Sequence, residues 1–238
     1  MKLLKETINA TSGVSSGANR HGRWYDDACG TAFALEILGE RWALLVVREL
    51  MLGSRRFSDL RAALPGISAK VLTERLAALE ASGVVARQPL PEPAKGQSYG
   101  LTAWGEAAEP LIQELGRWAA QSTAHNPRLP LSAVSLMLSL RTMLNRDACS
   151  RTTARIGFAI GDNEFIAEPA GNELPIRRAS VDGAEAVFCA GSADIIAAGI
   201  YAGVPWEELE ADGALSIVGD RALALRFAEL FHLPPPLA

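Results

Sequence analysis

Between Ser58 and Ala81 the sequence holds two short helical stretches around a Pro65-Gly66 break, and this pattern restricts the fold more than any other feature of the chain. Ser58 offers an N-cap oxygen to a first helix, Asp59–Leu64, and Pro-Gly ends it. Ser68 opens a second helix that runs to Ala81 before Gly83. At helical spacing Val71, Leu72, Leu76 and Leu79 fall on one side of this second helix, and Lys70, Thr73, Glu74 and Ala77 on the other. A leucine seam needs a partner surface, and the flanking sequence supplies it. Upstream lie a helix Ala28–Leu38 stopped by Gly39 and a helix Glu40–Leu52 with Trp42, Leu45, Val46 and Leu50 at helical spacing, then an extended link, Arg55-Arg56-Phe57. Downstream come a strand at Val84–Arg87, a loop with Pro89, Pro91 and Pro93, a second strand from Lys95 to Thr102, and a long helix Ala103–Ser122.

This order is that of a winged helix-turn-helix domain. The angled pair of short helices presents one helix face to a DNA major groove, and the hairpin reaches the flanking backbone. Charge agrees. The chain is acidic overall (net −4), yet residues 41–95 hold nine basic against five acidic side chains, whereas residues 126–238 hold nine against fourteen. A local positive footprint attracts phosphates. Lys70 and Thr73, outside the leucine seam near the helix start, are the candidate base readers, and Ser68 begins the same helix. Arg55, Arg56, Arg87 and Lys95 are candidate phosphate contacts. Arg75 projects nearer the packed side, as a phosphate clamp or an internal ion pair.

The strings LEILGERWALLVVREL (Leu35–Leu50), RRFSDLRAALPGIS (Arg55–Ser68) and VLTERLAALEASGVVAR (Val71–Arg87) resemble the HxlR-type transcription regulators, relatives of the MarR group. The likeness covers about residues 28–122. It implies a homodimer, joined through the first and last helices of this domain, on pseudo-palindromic double-stranded DNA. Some such regulators use a cysteine just before the first helix as a redox or electrophile sensor, and Cys29 stands there. Asp26-Asp27 before it favours a raised thiol pKa, while a helix N-terminus pulls the other way.

Asn126-Pro127-Arg128-Leu129-Pro130 reads as a linker. Beyond it a helix (135–145), strands at 154–160, 164–168, 176–181 and 185–190, a helix (192–202), a strand (214–218) and a last helix (221–231) make an α+β pattern. The stretch SADIIAAGIYAGVPWEELEADGALSIVGDRALALRFAELF (Ser192–Phe231) is similar to the end of sterol-carrier-protein-like domains: apolar helix, acidic linker, strand with a Gly-Asp turn, amphipathic helix. That resemblance implies a sheet and helices over an apolar cavity for a lipid-like or other apolar small molecule.

The fold class is therefore mainly α with an α+β second domain: a flexible N-terminal tail (1–25), a winged helix-turn-helix domain for DNA binding and dimerisation (26–125) and a sterol-carrier-like domain (126–238). Three scattered cysteines fit a reducing cytoplasm and no disulfide scaffold. No apolar run is long enough to span a membrane. His21, His125 and His232 are isolated, which argues against zinc, and nucleophile elbow, P-loop and dinucleotide fingerprints are absent from the sequence. The chain reads as a non-enzymatic, cofactor-free cytoplasmic transcription regulator. A Cys29-based sensor and a lipid-binding carrier are its rivals.

Overall fold

A computed structural model describes residues 25–90 and 96–237. The expected tail, 1–25, lies outside the described residues apart from Tyr25, and so do Pro91, Pro93 and Lys95 of the wing loop. The chain divides into two units, Met1–Arg41 and Trp42–Ala238.

In the first unit, α1 (Gly30–Leu38) starts two residues later than expected, with Cys29 in extended conformation at its N-cap. The Gly39 N–H closes the helix on the Leu35 carbonyl at 2.8 Å. None of its residues is buried within the unit.

The second unit begins on a strained residue. Trp42 has φ 78°, in the left-handed region that non-glycine residues rarely enter. It cannot belong to a right-handed helix, so α2 (Ala43–Leu50) starts three residues after the expected Glu40. Next comes α3 (Phe57–Ala63). Ser58 does not cap it. The Asp59 carboxylate reaches back to the Arg56 N–H (3.4 Å), and Ser58 lies inside the first turn, donating to Asp59 at 3.0 Å. The break falls at Pro65-Gly66, where Gly66 takes φ 91°. Ser68 then caps α4 (Ala69–Ala81) as expected, its Oγ accepting from the Val71 N–H at 3.2 Å. Leu72, Leu76 and Leu79 form the buried seam.

Strands β1 (Val85–Pro89) and β2 (Gln97–Leu101) pair antiparallel. Arg55 extends the hairpin on the other side of β2 through a single bridge: its N–H and C=O both bond to Tyr99 at 2.8 Å, so the extended link becomes part of the wing. The expected long helix divides into α5 (Ala103–Glu106), capped by Thr102, and α6 (Glu109–Ala120). Pro110 explains the break, since without an N–H it suits only the first turn of a helix.

The rest of the unit is α+β. Its elements are α7 (Ala133–Thr142), α8 (Arg146–Cys149), β3 (Ile156–Ile160), β4 (Asn163–Ala167), β5 (Ile176–Arg178), β6 (Ala186–Ala190), α9 (Ala193–Tyr201), α10 (Trp206–Ala211), β7 (Leu215–Gly219) and α11 (Arg221–Ala228). The sheet order is β5-β4-β3-β6-β7, with only β3 and β6 parallel. Central β3 and β6 are nearly continuous apolar runs because both faces are covered. Gly219, at φ 89°, ends β7, and a Cβ there would stand 2.3 Å from the Glu185 carbonyl oxygen. The stretch expected as an acidic linker contains the helix α10, held by Arg221, which donates to Glu207 (2.8 Å) and Glu210 (2.7 Å).

Phe158, Phe188, Phe227 and Phe231 build the core, the first two stacked at 5.4 Å and the last two edge-on at 5.2 Å. Burying each such side chain contributes about 1.5–3 kcal/mol. Leu52, just beyond α2, belongs to this same core, and Arg141 of α7 reaches Glu109 at the start of α6 at 2.7 Å.

Candidate nucleic-acid interface

With its leucines turned inward, α4 leaves Ser68, Lys70, Thr73, Glu74 and Ala77 exposed along one side. Lys70 is 85% exposed and stands 4.0 Å from Glu74, a surface pair worth a few tenths of a kcal/mol. So weak a tether leaves the ammonium available to an external acceptor. The Thr73 hydroxyl donates to the Ala69 carbonyl of its own helix at 2.9 Å. Outward it therefore presents oxygen lone pairs and a methyl group, groups that suit a base amino donor and a thymine methyl. Ser68 is exposed but its oxygen is engaged in the cap.

The arginines have separate placements. Arg56 is exposed at the start of α3, and Arg55 is half-buried with its main chain in the wing. Arg75 is half-buried and engaged within the fold, on the packed side where its spacing put it. Arg87, on β1, bonds Glu80 near the end of α4 at 3.2 Å and lies 5.7 Å from the centre of the Tyr99 ring. The pair with Glu80 uses Arg87 Nε, and the side chain is half exposed, which leaves its Nη groups for a phosphate. Tyr99 was not singled out by sequence reasoning, yet it organises this corner: main chain to Arg55, ring against Arg87. An aromatic residue in a strand gives no signal of such a double contact. Lys95 lies outside the described residues.

In the other unit Cys29 is exposed. Its thiol is held below its ordinary pKa, first by the Ala32 N–H and then by the Thr31 N–H at the start of α1. The Asp27 carboxylate, expected to oppose this, accepts instead from the Cys29 backbone N–H at 2.9 Å. The helix terminus prevails over the neighbouring acids. Among the described residues no three or more His, Cys, Asp or Glu side chains are grouped to hold a metal, and no helix is long and apolar enough to cross a membrane.

A helix pair joined at Pro-Gly, a hairpin stitched to the link before it and a polar ridge on the second helix define a winged helix-turn-helix. A family model described as HxlR-like helix-turn-helix matches residues 37–127. The HTH-type transcriptional regulator YvaP of Bacillus subtilis (strain 168) is 46% identical over 88 residues, which are 37% of this chain and 82% of that protein. YodB, an HTH-type transcriptional regulator of the same organism, is 42% identical over 88 residues, 37% of this chain and 79% of its own. A solved structure titled as the reduced form of YodB is 38% identical, covers 41% of this chain and 97% of its own, and has a TM-score of 0.37. The chain belongs to the HxlR-like helix-turn-helix family of transcription regulators.

Proposed function

We propose that the protein is a cytoplasmic, non-enzymatic, dimeric regulator that seats α4 of each copy in a major groove of double-stranded DNA, with residues 26–125 as the DNA-binding and dimerisation domain and 126–238 as a sterol-carrier-like domain. The observation that carries this is the exposed ridge of α4, free of the leucine seam and flanked by arginines. Lys70 and Thr73 read base edges near the helix start, with Ser68 beside them. Arg55 and Arg56 meet phosphates on one side, Arg87 and Lys95 on the wing side, and Arg75 braces α4 or clamps a phosphate. Paired copies address half-sites about 34–36 Å apart. Two apolar surfaces support the dimer. On α6, Leu111, Leu115 and Trp118 are exposed, Trp118 by 71%, and on α1 so are Phe33 and Leu35. Large exposed apolar side chains along one helix mark an association surface.

The test is selection of duplexes from a random pool by the full chain. An enriched pseudo-palindrome is expected. On it, Lys70→Ala and Thr73→Ala should each cost about 1–3 kcal/mol and flatten discrimination at one base position. Arg56→Ala should weaken all duplexes alike and lower the salt slope by about one. A pool that enriches no motif removes the reading.

The exposed, activated thiol favours a second role: Cys29 as a redox or electrophile sensor. Treatment with diamide should release DNA from the native chain and leave Cys29→Ser bound. Equal release from both excludes it.

A further inference from the structure

A cleft of about 970 Å³ opens where α2, α3 and α6 meet α7 and α9. This is the size that small amphipathic ligands occupy. It lies outside the phenylalanine core, where a sterol-carrier likeness would have placed a hollow. Trp42, Leu45, Ile112, Leu138 and Ala197 give it an apolar lining.

Its charged end is unbalanced. Arg48, Arg55, Glu49 and Asp59 line it, and so does Asn163, whose side-chain oxygen accepts from Arg178 Nη1 at 2.9 Å. Two cations and two carboxylates line this end and a third cation, Arg178, stands behind Asn163; Asp59 accepts on both oxygens and Glu49 on Oε1 alone. Fully buried Glu49 receives Arg48 at 2.8 Å and the Ser132 hydroxyl at 2.6 Å on Oε1, while its Oε2 has no hydrogen-bond partner. Asp59 takes the Ser58 hydroxyl and the Arg56 N–H. Among the described residues neither Arg55 nor Arg178 forms an ion pair. The Arg178 guanidinium lies over the Phe165 ring at 4.6 Å, with Nε and Nη2 buried and without an acceptor. Desolvation lowers its pKa to about 10, and the charge of Arg55 pushes the same way, against Glu49 and Asp59. A desolvated guanidinium short of acceptors, beside a second cation, is costly, and an arriving anion relieves it. Guanidinium matches carboxylate geometry with paired hydrogen bonds.

We infer that the cleft binds an amphipathic carboxylate, its apolar body lying along α6, α7 and α9 and its head group at Arg55 and Arg178. The regulatory consequence rests on the proposed function: Arg55 serves there as a phosphate contact and is tied to Tyr99 in the wing, so ligand and DNA draw on one cation. Binding of the ligand weakens binding of the operator.

Calorimetry on the full chain, without DNA, tests the cleft itself. Laurate is expected to bind about tenfold or more tightly than dodecanol, and dodecyltrimethylammonium more weakly than either. Arg178→Gln should erase the advantage of laurate over dodecanol. Ser135→Phe, which fills the cleft from α7, should abolish binding of both and stands on its own should Arg178→Gln fail to fold. Equal affinity for laurate and dodecanol, or laurate binding that survives Ser135→Phe, overturns the inference. Operator titration then checks the coupling: laurate should lower DNA affinity of the native chain and leave that of Ser135→Phe unchanged. A chain that binds no DNA defeats the regulator reading while the calorimetry still decides the cleft.

Discussion

Helices α4 and α7 begin alike and are used oppositely. Each opens on a serine whose Oγ accepts from the backbone N–H three residues on, Ser68 from Val71 at 3.2 Å and Ser132 from Ser135 at 3.0 Å. From there α4 buries Leu72, Leu76 and Leu79 and leaves its other side to solvent, whereas α7 buries Val134, Leu136, Met137, Leu138, Leu140 and Thr142, nearly its whole circumference. Polar groups on α7 look inward: Ser132 reaches Glu49, and Ser139 donates to Tyr201 at 2.9 Å. A cap marks where a helix starts. The distribution of side chains around it decides whether its partner comes from within the chain or from outside.

The strongest way to break this contrast is Leu136→Ala, expected to cost about 2–5 kcal/mol in urea unfolding because a cavity opens in the core. Lys70→Ala should stay within about 0.5 kcal/mol. Similar losses would mean that α4 is as deeply embedded as α7. Next come the two caps. Ser68→Ala should cost about 1 kcal/mol. Ser132→Ala should cost a further ~1–3 kcal/mol, since the buried Glu49 carboxylate loses a donor as well. Equal costs would show that the Glu49 contact contributes nothing.

The smallest effect concerns a third cap, Cys29. Its depressed thiol pKa means that thiolate forms there at lower pH than at Cys149, whose burial pushes its thiol up. Iodoacetamide labelling across about pH 6 to 9 should reach its plateau at Cys29 first. For Cys29 the contribution to stability is present above the unfolded pKa and fades as pH falls through the folded one. Coincident labelling curves would remove the helix-terminus explanation.

Local chemistry made much of the winged helix legible. Ser68, Pro65-Gly66 and the Val71/Leu72/Leu76/Leu79 spacing define α4 to the residue, and the five strands of the sheet fall close to where apolar runs place them. What escaped depends on through-space partners or on one overlooked backbone rule. Pro110 divides a helix whose apolar spacing reads as continuous. The acidic Trp206–Ala211 segment becomes helical while Arg221, ten residues beyond it in sequence, neutralises its carboxylates. Trp42 adopts a left-handed conformation that no sequence rule assigns to tryptophan. The cleft escaped for the same reason: Arg55 and Arg178 are more than a hundred residues apart, and only packing brings one charge within reach of the other. The ridge of α4 could be read because its members lie within ten residues.

The short bond from Ser132 to Glu49 has a mechanical meaning. It fastens the far end of the 126–130 crossing to α2, so the proline-bearing segment is anchored to the winged helix rather than a free tether. Heat or denaturant should therefore melt everything from Trp42 onward as one event, and displacement at one end of the segment is felt at the other.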